Sequence, residues 1–292
     1  MIEKIDLLYN GEYAIGFADQ GYFTYVISWR KMYRKNLLHQ KLQAGEKLIG
    51  TWNAIPDSVV TEILSLSGLD FVLVDNEHGP GDVLTVANQL RAANGTDTTL
   101  VVRIPWNDHV MIKKLLDIGV ESIMVPMVEN AAEVEAVVSA VRYPPKGIRG
   151  IAHTDARASE YGFKADKYLE TVSDNTFVIC QVESAEAANN IDEIVAVDGL
   201  DMIFIGPFDL SASLGTPAKF ENPEHQRLMK KTIEVTKAAG KYLGVTPYGT
   251  NSMADLYSQG FDLVVSLADV GMIRDAARTL ATSKPKSGIA SN

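Results

Sequence analysis

One cysteine, Cys180, occurs in 292 residues, so the chain can form no disulfide within itself. That suits a reducing compartment, and its place in the apolar run FVICQV makes Cys180 a buried small hydrophobe rather than a nucleophile. Eighteen apolar residues never run together, and the opening MIEKIDLLYNGEYAIG lacks a sustained apolar segment. Neither a membrane span nor a secretory leader is expected, and the chain reads as cytoplasmic. Positive charge is also short: 27 Lys and Arg stand against 37 Asp and Glu, for a net charge of −10. This argues against a nucleic-acid or anionic-membrane partner, because phosphate binding needs clustered cations. A small anion needs only a local cationic pocket. No glycine-rich fingerprint follows the first apolar run in LIGTWNAIPDS, which disfavours an open, doubly wound dinucleotide fold.

From about residue 46 a rhythm of short apolar runs and amphipathic segments sets in. The runs are KLIGTWNA, DFVLVDNE, TLVVRIP, ESIMVPMV, FVICQVE, DMIFIGP, YLGVTP and DLVVSLA. Continuous apolar strands alternating with helices indicate a parallel sheet covered on its outer face, and eight such units predict a (β/α)₈ TIM barrel of the α/β class. Residues 46–285 are assigned to this single catalytic domain, 286–292 to a tail and 1–45 to an N-terminal extension. The extension holds eight of the 23 aromatic residues, from Tyr9 to Tyr33, too many for a solvated tail, so it is expected to pack on something. The interval of about fifty residues between SIMVPMV and FVICQVE, including RYPPKGIRGIAHTDARASEYGF, reads as a long βα loop of functional kind.

In such a barrel, strand ends at the C-terminal face carry the chemistry. The second run delivers Asp75, Glu77 and His78, the third Arg103, the fifth Gln181 and Glu183, and the sixth Gly206 followed by Asp209. No strand end delivers a lysine, which disfavours a Schiff base. Glu183 and Asp209 follow neighbouring strands, and two close carboxylates repel unless a cation lies between them. Mg²⁺ or Mn²⁺ suits an all-oxygen pair; Co²⁺ or Zn²⁺ suits it less well. A helix cap or a surface ion pair is the bland alternative for either residue. The turn IGPFDLSAS offers backbone N–H groups to an anion. Arg103 must face an anion, either a ligand or a structural partner such as Asp108. His78 alone of five histidines ends a predicted strand beside carboxylates, which makes it the best general base.

The blocks GTWNAIPDSVVTEILSLSGLDFVLVDNEHGP, VVRIPWNDHVMIKKLLDIG, IMVPMVENAAEVEAVVSAVRYPPKGIRG, ARASEYG, QVES and FIGPFDLSASLG run from about Leu37 to Leu280. In order and spacing the chain resembles the metal-dependent pyruvate aldolases of the HpcH/HpaI type, the 4-hydroxy-2-oxoheptanedioate and 2-dehydro-3-deoxyglucarate aldolases. The resemblance implies a hexameric barrel enzyme whose divalent metal is held by Glu183 and Asp209 and chelated by pyruvate, with Gln181 close by. It implies that Arg103 binds the keto oxygen, that His78 acts as base paired with Asp117, and that Asp75 supports them. Phe208 stands in the G-P-x-D motif where a small residue is frequent; its backbone amide stays available to substrate while its ring narrows the pocket. The implied reaction is cleavage of a 4-hydroxy-2-oxo acid to pyruvate and an aldehyde. Decarboxylation of oxaloacetate through the same enolate is one alternative. A non-catalytic barrel that binds small acids is another, although none of the mapped polar positions has been lost.

Overall fold

Eight parallel strands close into a barrel in the computed structural model, which describes residues 4–8, 12–16, 27–28 and 35–284. Upstream, β1 (Lys4–Leu8), β2 (Glu12–Gly16) and β3 (Ile27–Ser28) pair antiparallel in a separate small sheet. The barrel comprises β4 (Leu48–Asn53), β5 (Phe71–Asp75), β6 (Thr99–Arg103), β7 (Ser122–Val125), β8 (Phe177–Val182), β9 (Met202–Ile205), β10 (Tyr242–Val245) and β11 (Leu263–Ala268). Neighbours follow chain order, and β11 closes onto β4. All eight apolar runs are therefore barrel strands. The packing expected of the aromatic side chains between Tyr9 and Tyr33, and the tail 286–292, fall outside the described residues.

Alternation along each strand divides the core in two. Val72, Val74, Val102, Val178 and Cys180 point outward beneath the helices, whereas Phe71, Leu73, Val101, Phe177, Ile179 and Phe204 fill the barrel interior. Cys180 is fully buried, and burial pushes its thiol well above the ordinary range, as a small hydrophobe's environment would. The large interior rings fit because small residues face them: a Cβ on Gly50 would stand 2.5 Å from the Phe71 ring, and one on Gly244 would stand 2.7 Å from Phe204. Apolar side chains thus fill the middle of the barrel; Thr99 and Ser122 meet the plugging helix at the N-terminal end, and charged side chains appear where β5, β6 and β8 reach the C-terminal face.

Helix Leu37–Gln43 seals the opposite end, inserting Leu38 and Leu42 into the interior cluster. Asn36 caps it by accepting from His39 N at 3.2 Å, and its own amide donates to Glu121 O at 3.0 Å and Ser122 Oγ at 2.9 Å.

The interval between β7 and β8 differs from the expected βα loop. Helix Ala131–Val141 leaves β7 first and carries the chain back to the N-terminal face, and the excursion 142–164 begins only there. It braces the base: Arg157 Nη1 donates to Ile118 O at 2.7 Å, and Arg149 Nη2 donates to Asp117 Oδ1 at 2.7 Å and to Tyr168 Oη at 2.8 Å.

The last helix, Asp269–Thr282, is tethered at its first residue, where Asp269 accepts from Asn53 Nδ2 at 2.8 Å and Ile55 N at 2.9 Å. Beyond that point its apolar stripe stands out from the barrel, with Ile273 55% and Leu280 75% exposed. Helix Ser58–Leu66 carries a second uncovered stripe at helical spacing, Val59, Ile63 and Leu66. Among the described residues no helix is long and apolar enough to cross a membrane.

Candidate active site

The register of β5 and β6 sets Asp75 directly beside Arg103, both at strand ends and both pointing inward. The contact is a bidentate fork: Arg103 Nε donates to Asp75 Oδ1 at 3.0 Å and Nη2 to Oδ2 at 2.7 Å. Glu77 Oε2 forms an ion pair with Nη1 at 2.7 Å without hydrogen-bond alignment, and Nη1 also donates to Gln181 Oε1 at 3.5 Å. The guanidinium lies over the Trp52 ring, 4.4 Å from its centroid. Arg103 therefore faces anions as the sequence requires, but within the chain these are Asp75 and Glu77. Asp108 does something else, capping helix His109–Asp117 through Val110 N at 2.8 Å.

Asp75 also accepts from the amides of Glu77 at 3.1 Å and His78 at 3.3 Å, which fixes the turn leaving β5. Burial works against its charged form, but Arg103 and these amides outweigh burial and hold the carboxyl below its usual value. Glu77 is raised, chiefly by burial, against the pull of Arg103. His78 itself sits exposed on the rim.

Glu183 follows β8 and is 3% exposed. Met127 N donates to its Oε1 at 2.8 Å, and Gln181 Nε2 donates to its Oε2. Burial pushes its carboxyl up to about 8 against the Met127 bond, and the charges of Asp209 and Glu77 raise it further. Asp209 lies in the first turn of helix Pro207–Ser213, exposed on the same mouth. Gly206 is required between them, since a Cβ there would stand 2.7 Å from both Glu183 Cβ and Oε2. Next to Asp209, Phe208 is half exposed, its ring edge-on to Phe220 at 5.0 Å.

The structure thus gathers Asp75, Arg103, Gln181, Glu183 and Asp209 at one mouth, with His78 and Phe208 on its rim. Asp117 stands apart. It ends helix His109–Asp117 at the base of the barrel, bound to Arg149, so the pairing with His78 that the resemblance implies is not made within one chain. Sequence reasoning missed Trp52 and the Met127 amide, and it listed Glu77 without giving it a role. Met127 takes a left-handed backbone, φ 52°, to aim its N–H at Glu183, a strain that a sequence does not announce.

A model of the HpcH/HpaI aldolase/citrate lyase family matches residues 48–276, which include every residue of this mouth. The chain belongs to that family. It is 37% identical over 246 residues to the hydroxypyruvate/pyruvate aldolase of Roseobacter denitrificans, covering 84% of this chain and 96% of the relative. To the 4-hydroxy-2-oxo-heptane-1,7-dioate aldolase of Salmonella typhimurium it is 39% identical over 248 residues, covering 85% and 94%. A crystal structure of a family protein from Burkholderia cenocepacia superposes with a TM-score of 0.80 at 33% identity, covering 85% of this chain and 98% of that one. This HpcH/HpaI enzyme is a carbon–carbon lyase of the aldolase type. Family membership implies a metal-dependent, class II mechanism, although among the described residues no group of three or more His, Cys, Asp and Glu is arranged to hold a metal.

Proposed function

We propose that this enzyme reversibly cleaves a 4-hydroxy-2-oxo acid between C3 and C4, giving pyruvate and an aldehyde. The observation that carries the reading is the charge balance of the mouth, where Asp75, Glu77, Glu183 and Asp209 surround one cation, Arg103. Asp75 and Glu77 take up the guanidinium, and among the described residues Glu183 and Asp209 form no ion pair of their own. Their all-oxygen donor set, beside the space a Gly206 Cβ would fill, fits Mg²⁺ or Mn²⁺ better than Co²⁺ or Zn²⁺. When bound, the ion supplies positive charge that lowers the energy of a pyruvate enolate.

The protein groups divide the remaining work. His78, on the exposed rim, takes the proton of the C4 hydroxyl directly or through water. The C3–C4 bonding electrons then pass into the keto acid as the aldehyde departs. Arg103, held rigid by Asp75 and Trp52, turns Nη1, which meets Glu77 without hydrogen-bond alignment, to the developing oxyanion as a preorganised donor. Gln181 links that arm to Glu183. The proton taken up by His78 then passes to C3, directly or through water, which completes pyruvate and frees the base.

The chain is read as a homo-oligomer, a hexamer by resemblance, which is supported by the uncovered stripes on helices Ser58–Leu66 and Asp269–Thr282. Light scattering on Ile273→Asp with Leu280→Asp is expected to show a smaller assembly; an unchanged mass removes that helix from the interface.

Pyruvate release from a panel of 4-hydroxy-2-oxo acids and from oxaloacetate, with and without chelator, tests the reaction. Hydroxy-keto acids should turn over faster, and Mn²⁺ should restore the chelated enzyme. Preferential turnover of oxaloacetate would make decarboxylation the main activity, and indifference to chelation would remove the metal.

A further inference from the structure

Helix Pro207–Ser213 has two unusual demands on it. It carries Asp209 in its first turn, and at seven residues it is too short to hold its position by its own hydrogen bonds. Helices of this kind are normally fixed by a Ser, Thr, Asp or Asn side chain at the N-cap. Here the N-cap is Gly206, no side chain caps the helix, and any Cβ at that place would collide with Glu183. The site itself excludes the usual device.

A substitute comes from the following helix, Pro223–Ala238. Its residue His225 is fully buried, and its Nε2 lies 3.1 Å from the carbonyl oxygen of Pro207, the first residue of the Asp209 helix. Since a carbonyl can only accept, Nε2 donates; Nδ1 is buried with no hydrogen-bond partner among the described residues. Leaving that nitrogen unsatisfied has a cost, so the residue is not a neutral space-filler. The ring is held in turn by Phe220 at 5.6 Å and Tyr248 at 6.1 Å, and Phe220 packs edge-on against Phe208.

We propose that His225 is a positioning residue for the cation site: by gripping the Pro207 carbonyl, it sets the first turn of helix Pro207–Ser213 so that Asp209 meets Glu183 across the mouth. This rests on the reading of Glu183 and Asp209 as the metal-holding pair.

Two substitutions separate the hydrogen bond from the packing. His225→Phe keeps an aromatic ring against Phe220 and Tyr248 but has no donor, whereas His225→Gln keeps an N–H at similar reach. Calorimetric titration of the full-length, metal-free proteins with Mn²⁺ is expected to show about tenfold weaker binding for His225→Phe, or ~1.4 kcal/mol. His225→Gln should return to within about threefold of the wild type. Binding by a folded His225→Phe at wild-type strength overturns the proposal, as does equal weakening in both variants.

The wild type gives an independent reading that survives a variant's failure to fold. Coupling is reciprocal, so saturation with Mg²⁺ should slow solvent exchange of the His225 Nε2–H seen by NMR. An unchanged exchange rate refutes the link. Asp209→Asn, titrated in parallel, separates the two possible failures. Undiminished Mn²⁺ binding there removes Asp209 as a ligand, whereas weakened binding there beside a wild-type-like His225→Phe removes only the positioning role.

Discussion

Glu183 should make the metal-free enzyme less stable as pH rises. In the unfolded chain its carboxyl titrates near the ordinary 4.5, and in the fold it is pushed up to about 8, mainly by burial. A carboxyl raised on folding contributes nothing below the unfolded value, loses stability progressively between 4.5 and about 8, and exerts its full penalty above that. At ~1.4 kcal/mol per pH unit the ceiling is about 5 kcal/mol. Water and side-chain relaxation reduce this, so about 2–3 kcal/mol is the expected difference from Glu183→Gln. For a chain of this size that corresponds to roughly 3–5 °C in Tm. Thermal melts in chelator should therefore give similar Tm values for the two proteins at pH 4.5, with the variant ahead by pH 8.5. The same proton competes with a metal: Mg²⁺ affinity of the wild type should rise about tenfold per pH unit from 6 toward 8 and level off above. Parallel melting curves for the two proteins at all pH values, or a Mg²⁺ affinity flat from pH 6 to 8, would refute the reasoning.

Arg103→Ala should lower kcat/KM for aldol cleavage by about 10²–10³, as loss of a preorganised oxyanion donor does. Circular dichroism should still report a folded barrel, and near-normal turnover would remove Arg103 from the chemistry. Gly206→Ala places a methyl 2.7 Å from the Glu183 carboxylate, so calorimetry should find weaker Mn²⁺ binding together with a stability loss of about 1–3 kcal/mol. Gly50→Ala overpacks the interior against Phe71 instead; denaturant melts should show a comparable loss, with Mn²⁺ affinity of the folded protein unchanged.

The barrel was legible because parallel strands buried on both faces must be written as short apolar runs, and all eight were. The candidate mouth was legible where an ionisable residue broke such a run at its end, as Asp75, Arg103 and Glu183 do. What a run does not reveal is where its neighbours stand. Trp52 reads as one more strand residue until barrel closure turns it inward from β4 and brings its ring, across β5, under Arg103 of β6. The 142–164 excursion was misplaced although NAAEVEAVVSAVR already marked a helix ahead of it; a chain that has passed down a helix is at the base, where its long loop braces rather than covers. Asp117 carries the same lesson, since helical spacing fixes its neighbours on the helix but not the Arg149 that claims it.

The ring-filled interior has a consequence for the order of events. Beneath Arg103 the barrel is solid, with Phe71, Phe204 and their neighbours leaving no exposed surface. The reaction chamber is a blind alley with one doorway. Two fragments from a single cleavage must depart through it in turn, the aldehyde from the rim first and the keto acid lodged against the guanidinium last. Pyruvate should accordingly compete with the incoming substrate for the empty enzyme, whereas the aldehyde should not.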